Sequence, residues 1–384
     1  MYFDIEEIDM KDKIVLVRVD YNVPIKDKII QNDMRIKASL NTIKLILEKG
    51  ASKIILMSHL GRPKGNLVEE YSTKPIAESL SKLLNLNVKH INDCINYELP
   101  EEKIILLENL RFYKEETAND EEFAKKLAEK ADIYVNDAFG TAHREEASVH
   151  AITKYIQSVP GLLLKKEIES LTLDNPERPF MFILGGAKLD TKLPIIKSML
   201  NKADKILLGG AMIFNFYKAK GYEIGDSLYD ENMIDEAKKL LENEKIILPI
   251  DIVIAKDFSN ESENKTVEID KIEKSWRGLD IGEKTIKHYI DILKEAKTIA
   301  WNGPMGVFEF EKYAKGTLEI AKALSVLDAK TIIGGGDSAS AIEKMNLKDK
   351  FTHVSTGGGA SLELLSGKEL PGLKALKENY LIFK

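Results

Sequence analysis

Short runs of Ile, Val and Leu recur along the chain. They are "KIVLVRVDYNV", "KIILMSHLG", "KIILLENLRF", "DIYVNDAFG", "FMFILGGAK", "KILLGGAM", "IILPIDIVIA", "TIAWNGPMG", "TIIGGGDSA" and "THVSTGGGA". The stretches between them place apolar residues at helical spacing, as in "NDEEFAKKLAEKA" and "ENMIDEAKKLLENE". A strand that is apolar at nearly every position is covered on both faces, whereas a half-exposed strand alternates apolar with polar. Such strands alternating with amphipathic helices predict parallel sheets packed between helices, an α/β architecture of three α/β/α layers.

The strands are too many for one sheet of ordinary size. At ~150 residues per domain, 384 residues also suggest two or three domains. Between the fourth and fifth runs lies a helical stretch, "GLLLKKEIESLTLDN", closed by "PERPF" with Pro176 and Pro179. The expected organisation is two three-layer domains with parallel, Rossmann-like sheets joined by a linking helix. The first domain covers residues 1–165 plus 368–384, the linking helix 162–178, and the second domain 179–367.

Composition narrows the function. A net charge of −6 argues against wholesale nucleic-acid binding. No apolar run approaches the ~20 residues of a membrane span. The opening "MYFDIEEIDM" is acidic where a signal peptide is basic and apolar, so a cytoplasmic protein is expected, with no membrane partner. Cys94 is the single cysteine, which excludes an internal disulfide framework and a thiolate metal cluster. Of 56 basic residues seven are arginine, and five of those (Arg18, Arg35, Arg62, Arg111, Arg144) precede residue 145. The rigid guanidinium fork binds carboxylates and phosphates in a bidentate way that lysine cannot copy. The first half is thus expected to bind a small anion.

Nearly every strand ends in polar residues, where open parallel sheets bind ligands. In the second half four strand ends are glycine-rich: "LGGAKLDTK", "LLGGAM", "IIGGGDSAS" and "VSTGGGASLE". Each precedes a helical stretch, and bare amides at a helix start cradle anions. A single such loop reads equally as a tight turn, but four at one sheet edge suggest a polyphosphate platform. Neither G-x-x-x-x-G-K-[ST] nor G-x-G-x-x-G with a following acidic residue is present, which disfavours a P-loop NTPase and a dinucleotide enzyme. Lys188 and Lys192 stand four apart at a helix start and could reach phosphates from one face. Asp337 has two readings, a ligand of Mg²⁺ bridging phosphates and a helix N-cap.

Eight stretches in order, "VLVRVDYNVP", "SHLGRP", "LLENLRFYKEE", "VNDAFGTAHREEAS", "GGAKLDTK", "WNGPMGVFE", "GGGDSAS" and "VSTGGGASLELLSGKELPGL", together resemble the phosphoglycerate kinase family. The match runs from about residue 13 to residue 373. The resemblance implies a monomeric glycolytic phosphotransferase, with 3-phosphoglycerate or 1,3-bisphosphoglycerate on the first domain and Mg²⁺-bound ADP or ATP on the second. It assigns Asp20, Asn22, Arg35, His59, Arg62, Arg111 and Arg144 to the acid substrate, the histidine and arginines forming a basic patch. It assigns Lys188, Lys192, Gly210, Gly278, Asn302, Glu309, Gly335, Gly336, Asp337 and Ser338 to the nucleotide, with Asp337 reaching the metal. Arg35, Lys188, Gly336 and Gly359 would be catalytic, and the amides of Gly357 to Gly359 would meet the phosphoryl group in flight.

The sequence departs from the family pattern at Thr191, where Asp is frequent, and at Glu145 and Glu146, which replace neutral or His residues after Arg144. Both nucleophiles of the implied reaction are anionic at pH 7, so no general base is required. Positioning and charge stabilisation carry such a transfer, with closure of the two domains over the substrates. The alternative is a non-catalytic α/β nucleotide-binding protein, which leaves the separate arginine group without a use.

Overall fold

The computed structural model describes all 384 residues. They divide into two compact units, the first Met1–Glu169 with Glu369–Lys384 and the second Ser170–Lys368. The helix Leu162–Leu171 carries the chain across that division. It stops short of the expected 178, because Leu173 adopts φ +49° and Pro176 and Pro179 follow.

The first unit is built on β1 (Ile14–Arg18), β4 (Lys53–Met57), β5 (Val88–Ile91), β6 (Ile104–Leu107), β7 (Ile133–Asn136) and β8 (Ser158–Pro160). A small antiparallel hairpin, β2 (Ile25–Lys26) with β3 (Ile29–Ile30), stands apart from them. The main sheet is parallel throughout in the order β5-β6-β4-β1-β7-β8. Its side chains alternate between two cores. Val15, Val17, Ile54, Leu56, Ile104 and Leu106 enter one cluster, and Leu16, Ile55, Met57, Ile105 and Leu107 enter the other. Both faces are therefore covered, the physical reason these strands carry no polar alternation. The C-terminal helix Pro371–Phe383 packs against β8, where the Asn379 side chain accepts from Ser158 N–H at 2.8 Å and donates to the carbonyls of Thr153 and Ile156.

The second unit contains β9 (Phe180–Leu184), β10 (Lys205–Leu208), β11 (Ile246–Ile247), β12 (Asp251–Ala255), β13 (Asn264–Glu268), β14 (Arg277–Ile281), β15 (Thr298–Asn302), β16 (Lys330–Gly334) and β17 (His353–Val354). Its main sheet is parallel in the order β11-β10-β9-β15-β16-β17. The run "IILPIDIVIA" does not form one strand of it. Pro249 interrupts the run, and its second half, β12, joins β13 and β14 in a separate antiparallel sheet.

Both main sheets start at a central strand and then grow to either side, β1 in one and β9 in the other. The direction of growth reverses beside those strands, and the loops there diverge and leave a crevice at the carboxyl edge. Every candidate site residue except Arg35 and Gly278 lies on a strand end of that edge, in the loop after it or in the first turn of the helix that follows.

Candidate active site

In the first unit the loop after β1 carries Asp20 and Asn22. Arg35, on the short helix Met34–Ala38, donates from Nη1 to Asp20 Oδ2 at 2.8 Å and to the Asn22 carbonyl at 3.4 Å. Asn22 Oδ1 accepts from Gly61 N–H at 2.9 Å, and the Gly61 carbonyl accepts from Arg111 Nη1 at 3.0 Å. Arg111 Nη2 then pairs with Glu146 Oε1 at 2.5 Å, and Arg144 Nη1 lies 3.5 Å from the same oxygen. Residues from four strand-end loops and one helix thus form one connected network. Arg62, Arg111, Arg144 and Glu146, with Lys64, Lys114 and Thr117, line a cavity of about 410 Å³. Arg62 is exposed there.

His59 differs from its expected part in a basic patch. It is 2 % exposed, and burial, followed by the fields of Arg18, Arg111, Arg144 and Arg35, holds its pKa well below the ordinary value. Arg18 Nη2 approaches His59 Nδ1 at 3.2 Å. A guanidinium only donates, so Nδ1 accepts and the proton sits on Nε2. His59 is a neutral N–H donor and adds no charge.

Arg18 received no role from its position, yet it organises the patch from beneath. It is fully buried, donates to Ser148 Oγ at 2.9 Å and the Val19 carbonyl at 2.6 Å, and lies 4.0 and 3.9 Å from carboxylate oxygens of Glu116 and Glu146. The signal was present in "VLVRVD", since a charge inside an apolar strand must find a buried partner.

In the second unit the four glycine-rich loops open the helices Leu189–Lys202, Ile213–Ala219, Gly336–Lys344 and Gly359–Leu365. Gly210, Gly278, Glu309 and Asp337 line a cavity of about 490 Å³, together with Phe214, Leu228, Ile252, Met305 and Val307. An apolar slot rimmed by a few polar groups suits a planar base with a charged tail. Gly210 has φ +68°, and its Cα faces the Gly186 backbone so closely that a Cβ would lie 2.4 Å from the Gly186 carbonyl oxygen. Gly278 leaves room for the Phe214 ring, which a Cβ would meet at 2.1 Å.

Beside that cavity Lys192 crosses over Gly186 and donates from Nζ to Asn302 Oδ1 at 3.0 Å. Burial lowers its pKa, and the nearby Asp337 carboxylate raises it. Asn302 in turn lies against Gly335, and its Nδ2 is buried without a partner. Thr191 uses its hydroxyl on the Lys188 carbonyl at 3.0 Å, so Asn302 rather than the preceding residue holds Lys192.

Several local readings change. Lys188 caps the Leu189–Lys202 helix with extended backbone (φ −119°, ψ 125°), so it does not share a helical face with Lys192; its side chain is exposed. Asp337 is not an N-cap. Gly335 holds that position and Asp337 sits exposed in the first turn beside Gly336, turned to the cavity. Ser338 is fully buried and its Oγ accepts from Gly303 N–H at 2.7 Å, which fixes the loop after β15. The Gly357 amide is already committed to Ser355 Oγ at 3.1 Å. Gly358, at φ +51° with open space above it, and Gly359 are the amides left at that helix start.

A family model described as phosphoglycerate kinase matches residues 5–368. Phosphoglycerate kinase of Dictyoglomus turgidum is 51% identical over 390 residues, covering 98% of both chains. The cytosolic phosphoglycerate kinase of Triticum aestivum is 52% identical over 391 residues, covering 97% of each. Among solved structures, phosphoglycerate kinase from Coxiella burnetii superposes with a TM-score of 0.91 at 39% identity, over 98% of this chain and 99% of that one. With two parallel-stranded sheets, an arginine-lined crevice in one unit and a glycine-rich crevice in the other, the chain belongs to the phosphoglycerate kinase family.

Proposed function

We propose that this chain moves a phosphoryl group reversibly between 1,3-bisphosphoglycerate and ADP, giving 3-phosphoglycerate and ATP in glycolysis. The observation that carries the reading is the pair of unlike crevices. One is lined by guanidinium groups suited to a small phosphorylated acid, the other by glycines and an apolar slot suited to a nucleotide. A protein that bound only a nucleotide would have no use for the first.

The acid substrate would be held by Asp20, Asn22, Arg35, Arg62, Arg111 and Arg144, with His59 donating from Nε2. The adenosine would enter the slot past Gly210, Gly278 and Glu309, its phosphates running towards Lys188, Lys192, Asn302, Gly335 and Gly336. Asp337 supplies one exposed carboxylate at the cavity wall. Mg²⁺ fits such a site, because it takes one or two carboxylates and completes its shell from phosphate oxygens and water. Bound there with the nucleotide, it would neutralise phosphate charge.

The attacking groups are a carboxylate and a phosphate, both ionised at neutral pH, so the chain needs no base. Its task is to align two anions and to spread the charge of a loose transition state. Arg35 and Lys188 bring positive charge, and the Gly336, Gly358 and Gly359 amides offer fixed dipoles. Ser355 acts indirectly by pinning the loop that presents the Gly358 and Gly359 amides, and Ser338 ties the helix start at Gly336 to the loop after β15. Two substrates held by different units react only when brought together, so a closing motion belongs to the cycle. We expect this to occur within a monomer, and in the cytoplasm; the wheat relative is named a cytosolic enzyme. Small-angle scattering should show contraction when both substrates are present; identical curves with and without them would remove the closure.

The test of function is ADP formation from Mg-ATP, with and without 3-phosphoglycerate, trapping the acyl phosphate. Turnover should require 3-phosphoglycerate and collapse in Lys188→Ala and Arg35→Ala. Nucleotide binding without any acid-dependent turnover would refute it.

A further inference from the structure

Glu146 places a carboxylate where the first crevice would receive an anion. It lines the 410 Å³ cavity, yet it is only 4 % exposed. Its Oε1 takes Arg111 at 2.5 Å and Arg144 at 3.5 Å, while its Oε2 accepts no hydrogen bond and lies 3.9 Å from Arg18 Nη2. Arg111 Nε is also buried without a partner. Two of the three cavity guanidinium groups are therefore shared with an internal acid, and the cluster leaves a donor and an acceptor unused.

We propose that Glu146 is the positioning and affinity-limiting residue of the acid-substrate patch, an inference that rests on the function proposed above. Its carboxylate aims the Arg111 and Arg144 forks while cancelling part of their charge. The patch then holds a phosphomonoester in one orientation yet releases it readily. A carboxylate within about 5 Å of a bound anion opposes it, at a dielectric between water and protein, by on the order of tenfold in affinity. Orientation and charge can be separated chemically. Glu146→Gln keeps an oxygen acceptor for Arg111 and removes the charge; Glu146→Asp keeps the charge and withdraws the oxygen from Arg111.

Glu146→Gln should lower the KM for 3-phosphoglycerate about tenfold, leave the KM for Mg-ATP unchanged, and not raise kcat. Calorimetric titration with inorganic phosphate should show the same tightening, with a steeper dependence on ionic strength. Glu146→Asp should lower kcat without tightening phosphate. If Glu146→Gln binds phosphate and 3-phosphoglycerate as the native protein does, the proposal is wrong, and a lowered melting temperature would then mark a purely structural role. Should Glu146→Gln not fold, a Glu146→Asp protein with native kcat overturns the proposal equally. The phosphate titration needs no turnover, so it stands even if the native protein fails to phosphorylate 3-phosphoglycerate, which would instead refute the function.

Discussion

Replacing Gly210 by alanine tests whether the glycine loops exist for close approach or merely for turning. The residue has φ +68°, which costs an L-residue roughly 1–2 kcal/mol. The larger effect is steric. The new Cβ would stand 2.4 Å from Gly186 O, 2.5 Å from Gly186 N and 2.9 Å from Gly186 C, against an ordinary contact that begins at 3.4 Å. Restoring that contact requires 3.4 − 2.4 = 1.0 Å of relative movement. Neither side moves freely, because Gly186 O accepts from Met212 N–H at 3.1 Å and Gly210 N–H donates to Met305 O at 2.9 Å. Gly186, Gly210 and Met305 all line the cavity proposed for the nucleotide, so the displacement would be delivered to a nucleotide bound there. Misplacing a reacting group by ~1 Å costs on the order of 100-fold. Gly210→Ala should therefore lower kcat/KM for Mg-ATP about 100-fold and leave the KM for 3-phosphoglycerate within about twofold. Steady-state kinetics in each substrate, with fluorescence displacement of a bound nucleotide analogue, measures both. A variant that melts like the native protein and binds the analogue equally well would refute the reasoning.

Arg18→Met removes three buried hydrogen bonds and leaves Glu116, itself fully buried, without its cation. Urea unfolding should show a loss of about 3–5 kcal/mol, and a loss below about 1 kcal/mol would mean that the cluster carries no such load. Asp137 is fully buried, accepts from Leu163 and Leu164 N–H, and has its pKa pushed by burial from 3.8 up to about 6. The unfolded chain releases that proton first as pH rises, so stability falls by about 3 kcal/mol between pH ~4 and ~6 and no further above it. Asp137→Asn abolishes this slope, and parallel pH–stability curves for the two proteins would contradict the assignment. Asn302→Leu deprives Lys192 of its acceptor and should raise the KM for Mg-ATP about tenfold or more while sparing 3-phosphoglycerate; equal effects on both substrates would place Asn302 elsewhere.

Much of the architecture is readable as a one-dimensional pattern. The runs around β1, β4, β6, β7, β9, β10, β15 and β16 are apolar at almost every position because residues of odd and even number must enter opposite cores, as Val15 and Leu16 do. Two edge strands without an apolar run escape such reading. "VKHI" and "SVP" become β5 and β8 only because an existing sheet edge offers them hydrogen bonds. The antiparallel sheet of β12, β13 and β14 is likewise set by cross-strand register, with β13 carrying the polar alternation of a half-exposed strand.

At the site, residue type and location at a strand end are local properties, so the arginines, the glycine loops and Asp337 can be picked out one by one. Their electrical state is not local. His59 is neutral because it is buried and faces Arg18, 41 positions away. Lys192 depends on Asn302, 110 positions away. Glu146 takes its meaning from Arg111, 35 positions away. By itself the sequence determined the central strands of both main sheets and the chemical kind of each loop, because periodicity and backbone freedom are properties of neighbouring residues. Only the tertiary structure decided which amides stay free and which charges are cancelled. Burial and pairing depend on groups that meet through the fold, and in a low-dielectric interior those groups outweigh what any residue brings alone.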